Sequence, residues 1–408
     1  MEENIVQSLY KRAQDSPDEP ALMFKESGRY AVKSTKWFWD RAEGIASGLI
    51  KLGIREGDKV AIMGSTRVEW TLADIAILSL RGITVTIYPS LLEHDVRFIL
   101  DNSDSRAVFV ENEAALGRVL NVIKDLPGII KIIVFEDVSV NNDRVISLQR
   151  LEELGKDNPA PGEVKRRMNS ITMDDTATII YTSGTTGPPK GAEILHGNII
   201  ANLKDILAIT FNLPGDITLA YLPLAHAYER INQFGAIYVH MVYAYAESLD
   251  TIARNISEVR PTILPGVPRV YEKLYARIVN EIQNGPRIKK VLFDWALNTG
   301  KASLSYRLAK KPIPAGLRIR DSIARMLVFN KLKKKLGGRI RIAITAAAPL
   351  SPAIIEFFNA LGIPIYEGYG MTETFAPAIM SYEGNFKIGS VGKPLPSMRV
   401  KTAGPFMR

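Results

Sequence analysis

The sequence predicts an α/β fold made of two αβ subdomains, each a mostly parallel sheet flanked by helices. Three observations carry this. Short apolar runs alternate with amphipathic segments along most of the chain. Several of the amphipathic segments are closed by glycine or proline, as helices that end in tight turns are. The chain has 408 residues, too many for one compact core, so two or three subdomains are expected.

Taken in order, residues 34–53 (STKWFWDRAEGIASGLIKLG) read as a helix with a serine N-cap, an apolar stripe at Phe38, Ala42, Ile45, Leu49 and Leu52, and a stop at Gly53. Residues 58–64 read as a buried strand, 68–82 as a helix closed by glycine, 83–89 as a strand, 92–104 as a helix and 107–111 as a strand. This βαβ rhythm argues for parallel pairing. A polar, proline-bearing stretch at 156–170 separates it from a second alternation. There, 176–181 is a strand, 197–209 a helix, 217–223 a strand and 248–261 a helix ended by proline. Residues 262–283 enter a long helix after two prolines, and 286–336 are helical with a break at 310–316. A strand at 339–345, a capped helix at 351–362 and a strand at 363–370 follow, and the Gly- and Pro-rich end reads as turns and short strands.

Composition sets limits on function. The chain has no cysteine, which excludes disulfides, thiolate metal sites and a thioester on the protein itself. That fits a reducing interior, and a cytoplasmic location is expected. No run of about 18 apolar residues is present, so no membrane-spanning helix is expected. The net charge of +9 is concentrated: residues 301–341 hold thirteen Lys and Arg against Asp321 alone. Leucines, isoleucines and a valine interleave with those cations. A basic amphipathic surface suits anionic lipid headgroups, so peripheral membrane contact through 301–341 is expected. Nucleic acid is not expected, because no aromatic interleaving or known module accompanies the charge.

One stretch carries chemistry of its own. YTSGTTGPPKG (181–191) follows an apolar run. It is not the G-x-x-x-x-G-K-[ST] loop of common ATPases: Lys190 is followed by Gly191, and the AEIL beyond it reads as a strand rather than a helix start. A G-x-G-x-x-G dinucleotide loop is absent too. Gly184 and Gly187 permit close backbone approach, and Thr182, Ser183, Thr185 and Thr186 offer hydroxyls to anionic oxygens. Lys190 adds a positive charge. On these residues alone, a Gly/Thr-rich surface turn is the favoured reading.

The whole string closely resembles the phosphate loop of the adenylate-forming superfamily, which includes acyl-CoA synthetases, luciferases and peptide-synthetase adenylation domains. YEGYGMTET (366–374) resembles that superfamily's adenine-and-magnesium motif. YLPLAHAYERI (221–231), GVPRVYEKLYARI (266–278), LGGRIRIAITAAAPLSPAIIEFF (336–358) and GSVGKPLP (389–396) look like the long-chain fatty acyl-CoA synthetase branch. The resemblance extends from about residue 5 to about residue 400.

The resemblance implies that a fatty acid is activated by Mg²⁺-ATP to an acyl-adenylate and then passed to coenzyme A. It gives Thr182, Lys190 and Glu373 catalytic parts. Thr182, Ser183, Gly184, Thr185, Thr186, Gly187 and Lys190 would embrace the β- and γ-phosphates. Glu373 would hold Mg²⁺ with the hydroxyl of Thr182. Thr372 would meet the α-phosphate and Tyr369 would stack on adenine. Gly368, Gly370 and Met371 would shape the nucleotide and acyl pockets. Ala346, Ala347, Ala348 and Pro349 would form the opposite adenine wall, and His226 would sit near the acyl carboxylate. His94, His196 and His240 receive no role.

Two departures stand out. TAAAPL replaces a glycine-bearing segment, so two added methyl groups either narrow the adenine wall or stiffen the strand end. The sequence ends at KTAGPFMR, before the ribose-binding aspartate, the hinge and the small C-terminal domain with its adenylation lysine. Only the large N-terminal domain is therefore expected, with subdomains near 1–170 and 171–380 and a β-rich start of a small barrel at 381–408. Full ligase activity is expected to be weak, and a non-catalytic ATP- and acyl-binding homologue is the alternative. A peptide-synthetase adenylation domain is disfavoured, because YLPLAHAYER offers no acid where such domains hold an α-amino group.

Overall fold

The computed structural model describes residues 3–182, 187–210 and 213–401. The chain forms two compact units: Met1–Leu203 with Ala220–Tyr245, and Lys204–Leu219 with Ala246–Arg408.

The first unit contains α1 (Ile5–Asp15), β1 (Pro20–Glu26), β2 (Arg29–Ser34), α2 (Thr35–Lys51), β3 (Lys59–Met63), α3 (Val68–Ser79), β4 (Ile83–Ile87), α4 (Glu93–Asn102), β5 (Ser105–Val110), α5 (Glu113–Val122), β6 (Lys131–Val134), β7 (Val145–Ser147), α6 (Leu148–Asp157), α7 (Pro161–Ser170), β8 (Thr176–Thr182) and β9 (Lys190–Leu195). Next, α8 (His196–Ile209) carries the chain out of this unit, and β10 (Ile217–Ala220) brings it back to α9 (Ala227–Tyr238) and β11 (Val242–Tyr245). Seven strands pair in the order β7-β6-β5-β3-β4-β8-β9, all parallel except the last pair. One face buries Val96, Ile99 and Leu100 of α4 and Leu116 and Val119 of α5 against Ala61, Val85, Val108 and Ile132 of the strands. Separately, β1 pairs antiparallel with β2 and parallel with β11, Leu22 opposite Tyr243.

Local chemistry explains most of these elements. Ser34 Oγ accepts the Trp37 amide at 3.3 Å and starts α2, and Gly53, at φ 91°, follows its end. The stretch 156–170, expected to be a polar connection, instead contains the end of α6 and all of α7. Pro161 stands at its first turn, Val164 and Met168 are buried one turn apart, and Glu163 pairs with Arg166 and Arg167. Two apolar residues leave too weak a periodicity to read.

The second unit contains α10 (Ile252–Val259), β12 (Ile263–Gly266), α11 (Pro268–Gln283), α12 (Arg287–Leu308), α13 (Ala315–Ala324), α14 (Asn330–Lys335), β13 (Ile342–Thr345), α15 (Pro352–Leu361), β14 (Ile365–Met371), β15 (Ala376–Met380) and β16 (Lys393–Pro394). Its strands run β10-β12-β13-β14 in parallel, followed by antiparallel β15 and β16. The residues read as the approach to the α11 helix begin with a strand, β12, whose four residues are all buried. Past residue 381, the described residues contain the two-residue strand β16, which pairs with β15, and a bridge between Tyr382 and Asn385.

Candidate functional site

The phosphate-loop candidate is the crown of a hairpin in the first unit. β8 and β9 pair antiparallel from Thr176↔Leu195 up to Thr182↔Lys190, so residues eight apart in sequence face each other where the loop departs. Thr182 Oγ1 lies 3.5 Å from the Lys190 carbonyl oxygen. The hairpin is anchored below: Tyr181 is buried, and its hydroxyl donates to Asn102 Oδ1 at 2.7 Å. Gly187 has φ 104° and open space around its missing side chain. Gly187 and Lys190 are exposed, so a cation and a backbone turn are presented to solvent from a rigid sheet edge. Ser183, Gly184, Thr185 and Thr186 lie outside the described residues.

His226 stands at the N-cap of α9 in the same unit. Its Nδ1 accepts the Tyr228 amide at 3.1 Å, which leaves the proton of the neutral ring on Nε2. Burial holds its pKa below the usual histidine value, so the neutral donor form is favoured. The segment before it is pinned on several sides. Leu222 N donates to Glu229 Oε2 (3.2 Å), Leu224 N to Thr66 Oγ1 (3.0 Å), and Thr86 Oγ1 donates to Ala225 O (3.1 Å).

Sequence reasoning did not find what lies beneath. Glu229 is fully buried and accepts from the Tyr243 hydroxyl at 2.6 Å. Burial raises its pKa to about 7, against the lowering effect of its hydrogen bonds. Next to it, Arg230 is completely buried, with its guanidinium 2.5 Å from Asp74 Oδ2 and between the rings of Trp70 (5.0 Å) and Phe234 (4.7 Å). Asp74 also accepts from Thr84 Oγ1 (2.8 Å) and Gln233 Nε2 (2.7 Å). The sequence signal was the adjacent Glu-Arg pair within a segment that also carries Asn232 and Gln233 among apolar residues.

The buried carboxyl of Glu229 has a pH consequence. A folded pKa near 7 against an ordinary 4.5 means the folded state holds the proton more tightly than the unfolded chain does. Its contribution to stability is fully present below about pH 4.5 and is lost as pH rises through about 7. Glu229→Gln is expected to flatten stability against pH across that window, as urea titrations from pH 5 to 8 would reveal.

In the second unit, β13 and β14 bring the two other motifs together. Thr345 pairs with Glu367, so Ala346 and Gly368 follow side by side, and a methyl group on Gly368 would stand 3.9 Å from the Ala346 Cβ. Ala347, Ala348 and Pro349 are exposed at the strand end. Ala347 has φ 71°, a left-handed conformation that costs a non-glycine residue about 1–2 kcal/mol. TAAAPL therefore carries strain at the position where glycine would be free of it.

β14 and β15 form the rest of this surface. Tyr369 is 51% exposed and Met371 49% exposed, an unusual outlay of large apolar side chains at the tip of a sheet. Gly370 is required: a Cβ there would lie 1.9 Å from the Ala376 carbonyl oxygen. Gly370→Ala is expected to cost about 2–3 kcal/mol in a urea melt by forcing the hairpin open. Thr374 Oγ1 accepts the Met371 amide at 3.0 Å and donates to Ala376 O at 2.9 Å, closing the turn that holds Thr372 and Glu373. Glu373 is exposed and has no ion pair among the described residues. No cluster of three or more His, Asp or Glu that could hold a metal ion occurs among the described residues. A single carboxylate with a hydroxyl suits Mg²⁺ carried by a polyphosphate, since that ion takes few protein ligands and completes its shell from phosphate and water.

The structure thus joins Thr182 to Lys190 in one unit, and Ala346–Pro349 to Gly368–Glu373 in the other. Comparison with known proteins identifies the family. The AMP-binding enzyme family model matches residues 9–405. Long-chain-fatty-acid–CoA ligase FadD15 of Mycobacterium bovis is 29% identical over 99% of this chain and 67% of its own length. Long chain acyl-CoA synthetase 6, peroxisomal, of Arabidopsis thaliana is 34% identical over 88% of this chain and 50% of its own length. The chain therefore spans half to two thirds of these relatives. Among solved structures, the anthranilate CoA ligase AuaEII with anthranoyl-AMP superposes with a TM-score of 0.71 at 19% identity, covering 96% of this chain and 64% of that one. The N-terminal domain of FACL13 from Mycobacterium tuberculosis gives 0.67 at 21%, covering 97% and 83%. With the hairpin loop, the β14–β15 platform and a family match over nearly every residue, the chain belongs to the AMP-binding enzyme family.

Proposed function

We propose that this chain is the nucleotide- and acyl-binding part of an AMP-forming long-chain fatty acid–CoA ligase. The observation that carries this is the hairpin that sets Thr182 opposite Lys190 at the mouth of the 183–189 loop. The names of the curated relatives support the acyl substrate. A carboxylate oxygen of the fatty acid attacks the α-phosphorus of ATP, and the bond to the bridging oxygen breaks. Pyrophosphate leaves with that electron pair, and an acyl-adenylate remains. The thiol of coenzyme A then attacks the acyl carbon, losing its proton, and AMP leaves.

The chain's residues neutralise and orient more than they react, as phosphoryl chemistry requires. Lys190 with Thr182, Ser183, Gly184, Thr185, Thr186 and Gly187 takes the β- and γ-phosphates. Thr372 takes the α-phosphate. Tyr369 offers its exposed ring to adenine, with Ala346–Pro349 as the second wall. Gly368, Gly370 and Met371 would shape the nucleotide and acyl pockets, and the Nε2–H of neutral His226 would donate to the acyl carboxylate without adding a charge. The resemblance gives Thr182 and Glu373 to Mg²⁺, which when bound would shield the charge on the phosphates. The reading is tested by fatty-acid-dependent exchange of labelled pyrophosphate into ATP across a panel of chain lengths. Exchange with long chains is expected. ATP binding without exchange for any acid would establish the non-catalytic reading instead.

A second part of the proposal concerns location: a cytoplasmic protein that touches anionic membranes. Ile319, Ile323, Met326 and Leu327 recur at helical spacing, are 36–63% exposed, and are flanked by exposed Arg318, Arg320, Lys331 and Lys334. No helix among the described residues is long and apolar enough to cross a membrane. Co-sedimentation with anionic vesicles at low salt, weakened by high salt and by Ile319→Asp with Met326→Asp, is the expected result. Absence of binding at low salt removes this part.

A further inference from the structure

The second unit contains a cavity of about 800 Å³ that none of the candidate site residues line. It is bordered by Arg341, Ile342, Pro364 and Tyr366, at the N-terminal ends of β13 and β14. Ala346–Pro349 follow the opposite end of β13, and Tyr369–Met371 form the opposite end of β14. The size falls within the range of small-molecule sites.

Its walls combine two chemistries. Leu304 and Leu308 of α12 contribute apolar surface, and Tyr366 meets Phe386 edge to face at 5.7 Å. Four cations line it: Arg307, Lys310, Arg325 and Arg341, against the single lining acid Glu383 among the described residues. Two of these cations are committed. Arg341 pairs with Asp216, and Arg325 Nε donates to Asp321 Oδ2 at 2.9 Å. The other two are held less firmly. Arg307 Nε donates to Ser303 O at 3.4 Å while its guanidinium reaches Asp321 only at 4.0 Å, and the ammonium of Lys310 has no partner among the described residues. Arg307 also feels its neighbours: burial, then the charge of Arg325, lowers its pKa. The same two causes lower Lys333, which donates to Gly362 O at 3.1 Å behind Arg325. Half-buried cations that repel one another with too few acids to neutralise them are relieved by an anion.

We infer that this cavity binds a phosphate-bearing ligand with an apolar or aromatic portion. Arg307 and Lys310 would hold the phosphate, with Arg325 oriented beside them by Asp321. Leu304, Leu308 and the Tyr366–Phe386 pair would cover the apolar part. Arginine supplies paired donors matched to phosphate oxygens, and lysine a point charge. The ligand is either a soluble phosphate ester or the headgroup of a phospholipid.

The test uses 1-naphthyl phosphate as the soluble probe in calorimetry, and phosphatidylcholine vesicles with and without phosphatidate as the lipid probe. The whole chain is compared with the double variant R307Q/K310Q, with K310Q alone and with K190A. The expected result is saturable binding of one probe class, weakened about tenfold or more in the double variant, which loses two charged contacts. K190A should bind as the unaltered chain does. If the double variant fails to fold, K310Q carries the comparison with a smaller loss, because that ammonium holds nothing in the fold. Binding of 1-naphthyl phosphate assigns a soluble ester, and phosphatidate-dependent sedimentation alone assigns a lipid headgroup. Binding equal in all variants, binding lost in K190A but kept in R307Q/K310Q, or no binding of either probe overturns the inference.

Discussion

Lys190→Ala is expected to lower fatty-acid-dependent ATP–pyrophosphate exchange by about 100-fold or more, with the melting temperature unchanged. Its side chain is exposed and forms no ion pair among the described residues, so the fold does not rely on it. Its backbone holds the last rung of the β8–β9 hairpin, which alanine keeps. The lost quantity is positive charge opposite the leaving pyrophosphate, where charge builds as the bond breaks. A variant with normal melting and normal exchange would remove Lys190 from the chemistry. Lys190→Arg separates charge from shape: partial recovery is expected, because guanidinium restores the charge on a bulkier head.

Asp74→Ala is expected to have the largest effect on stability. Among the described residues, it would leave the guanidinium of Arg230 charged and fully buried against the rings of Trp70 and Phe234. Removing one member of a buried ion pair typically costs about 3–5 kcal/mol, which corresponds to a fall in melting temperature on the order of 10 °C. The damage should also reach function. Arg230 is four residues after His226 on the first turns of α9, and Gln233, another partner of Asp74, lies one turn further on. Joint replacement by Asp74→Leu and Arg230→Met should recover much of the stability, since apolar isosteres of similar volume replace such pairs at little cost. A double variant as unstable as the single one would show that the neighbouring hydrogen bonds, not the pair, hold this core.

The parts of this molecule that were readable in advance are those governed by nearby residues. α2 announced itself through Ser34 and Gly53, and the β8–loop–β9 unit through an apolar run, hydroxyls, and a lysine–glycine ending that ruled out a helix. α7 did not, because only Val164 and Met168 face inward and its polar residues are spent on Glu163–Arg pairs at the surface. β12 was hidden by Pro265 within it and Pro268 just beyond it, which suggested a helix entry. The candidate site divides in the same way. Motif strings located the exposed groups. The supports of those groups were illegible: Asp74 and Arg230 are more than 150 positions apart, and nothing local marks them as partners. The left-handed backbone of Ala347 was equally invisible, since alanine is the residue least suggestive of it.

The parallel pairing of β1 with β11 has a consequence during synthesis. Leu22 meets Tyr243 roughly 220 residues later in the chain. At ribosomal rates of about 5–20 residues per second, the β1–β2 hairpin waits on the order of 10–40 seconds with one edge unpaired. Such an edge invites pairing with another nascent chain on the same message. The arrangement predicts that yield from cells depends on translation speed and on holdase chaperones more than the finished protein's stability would suggest.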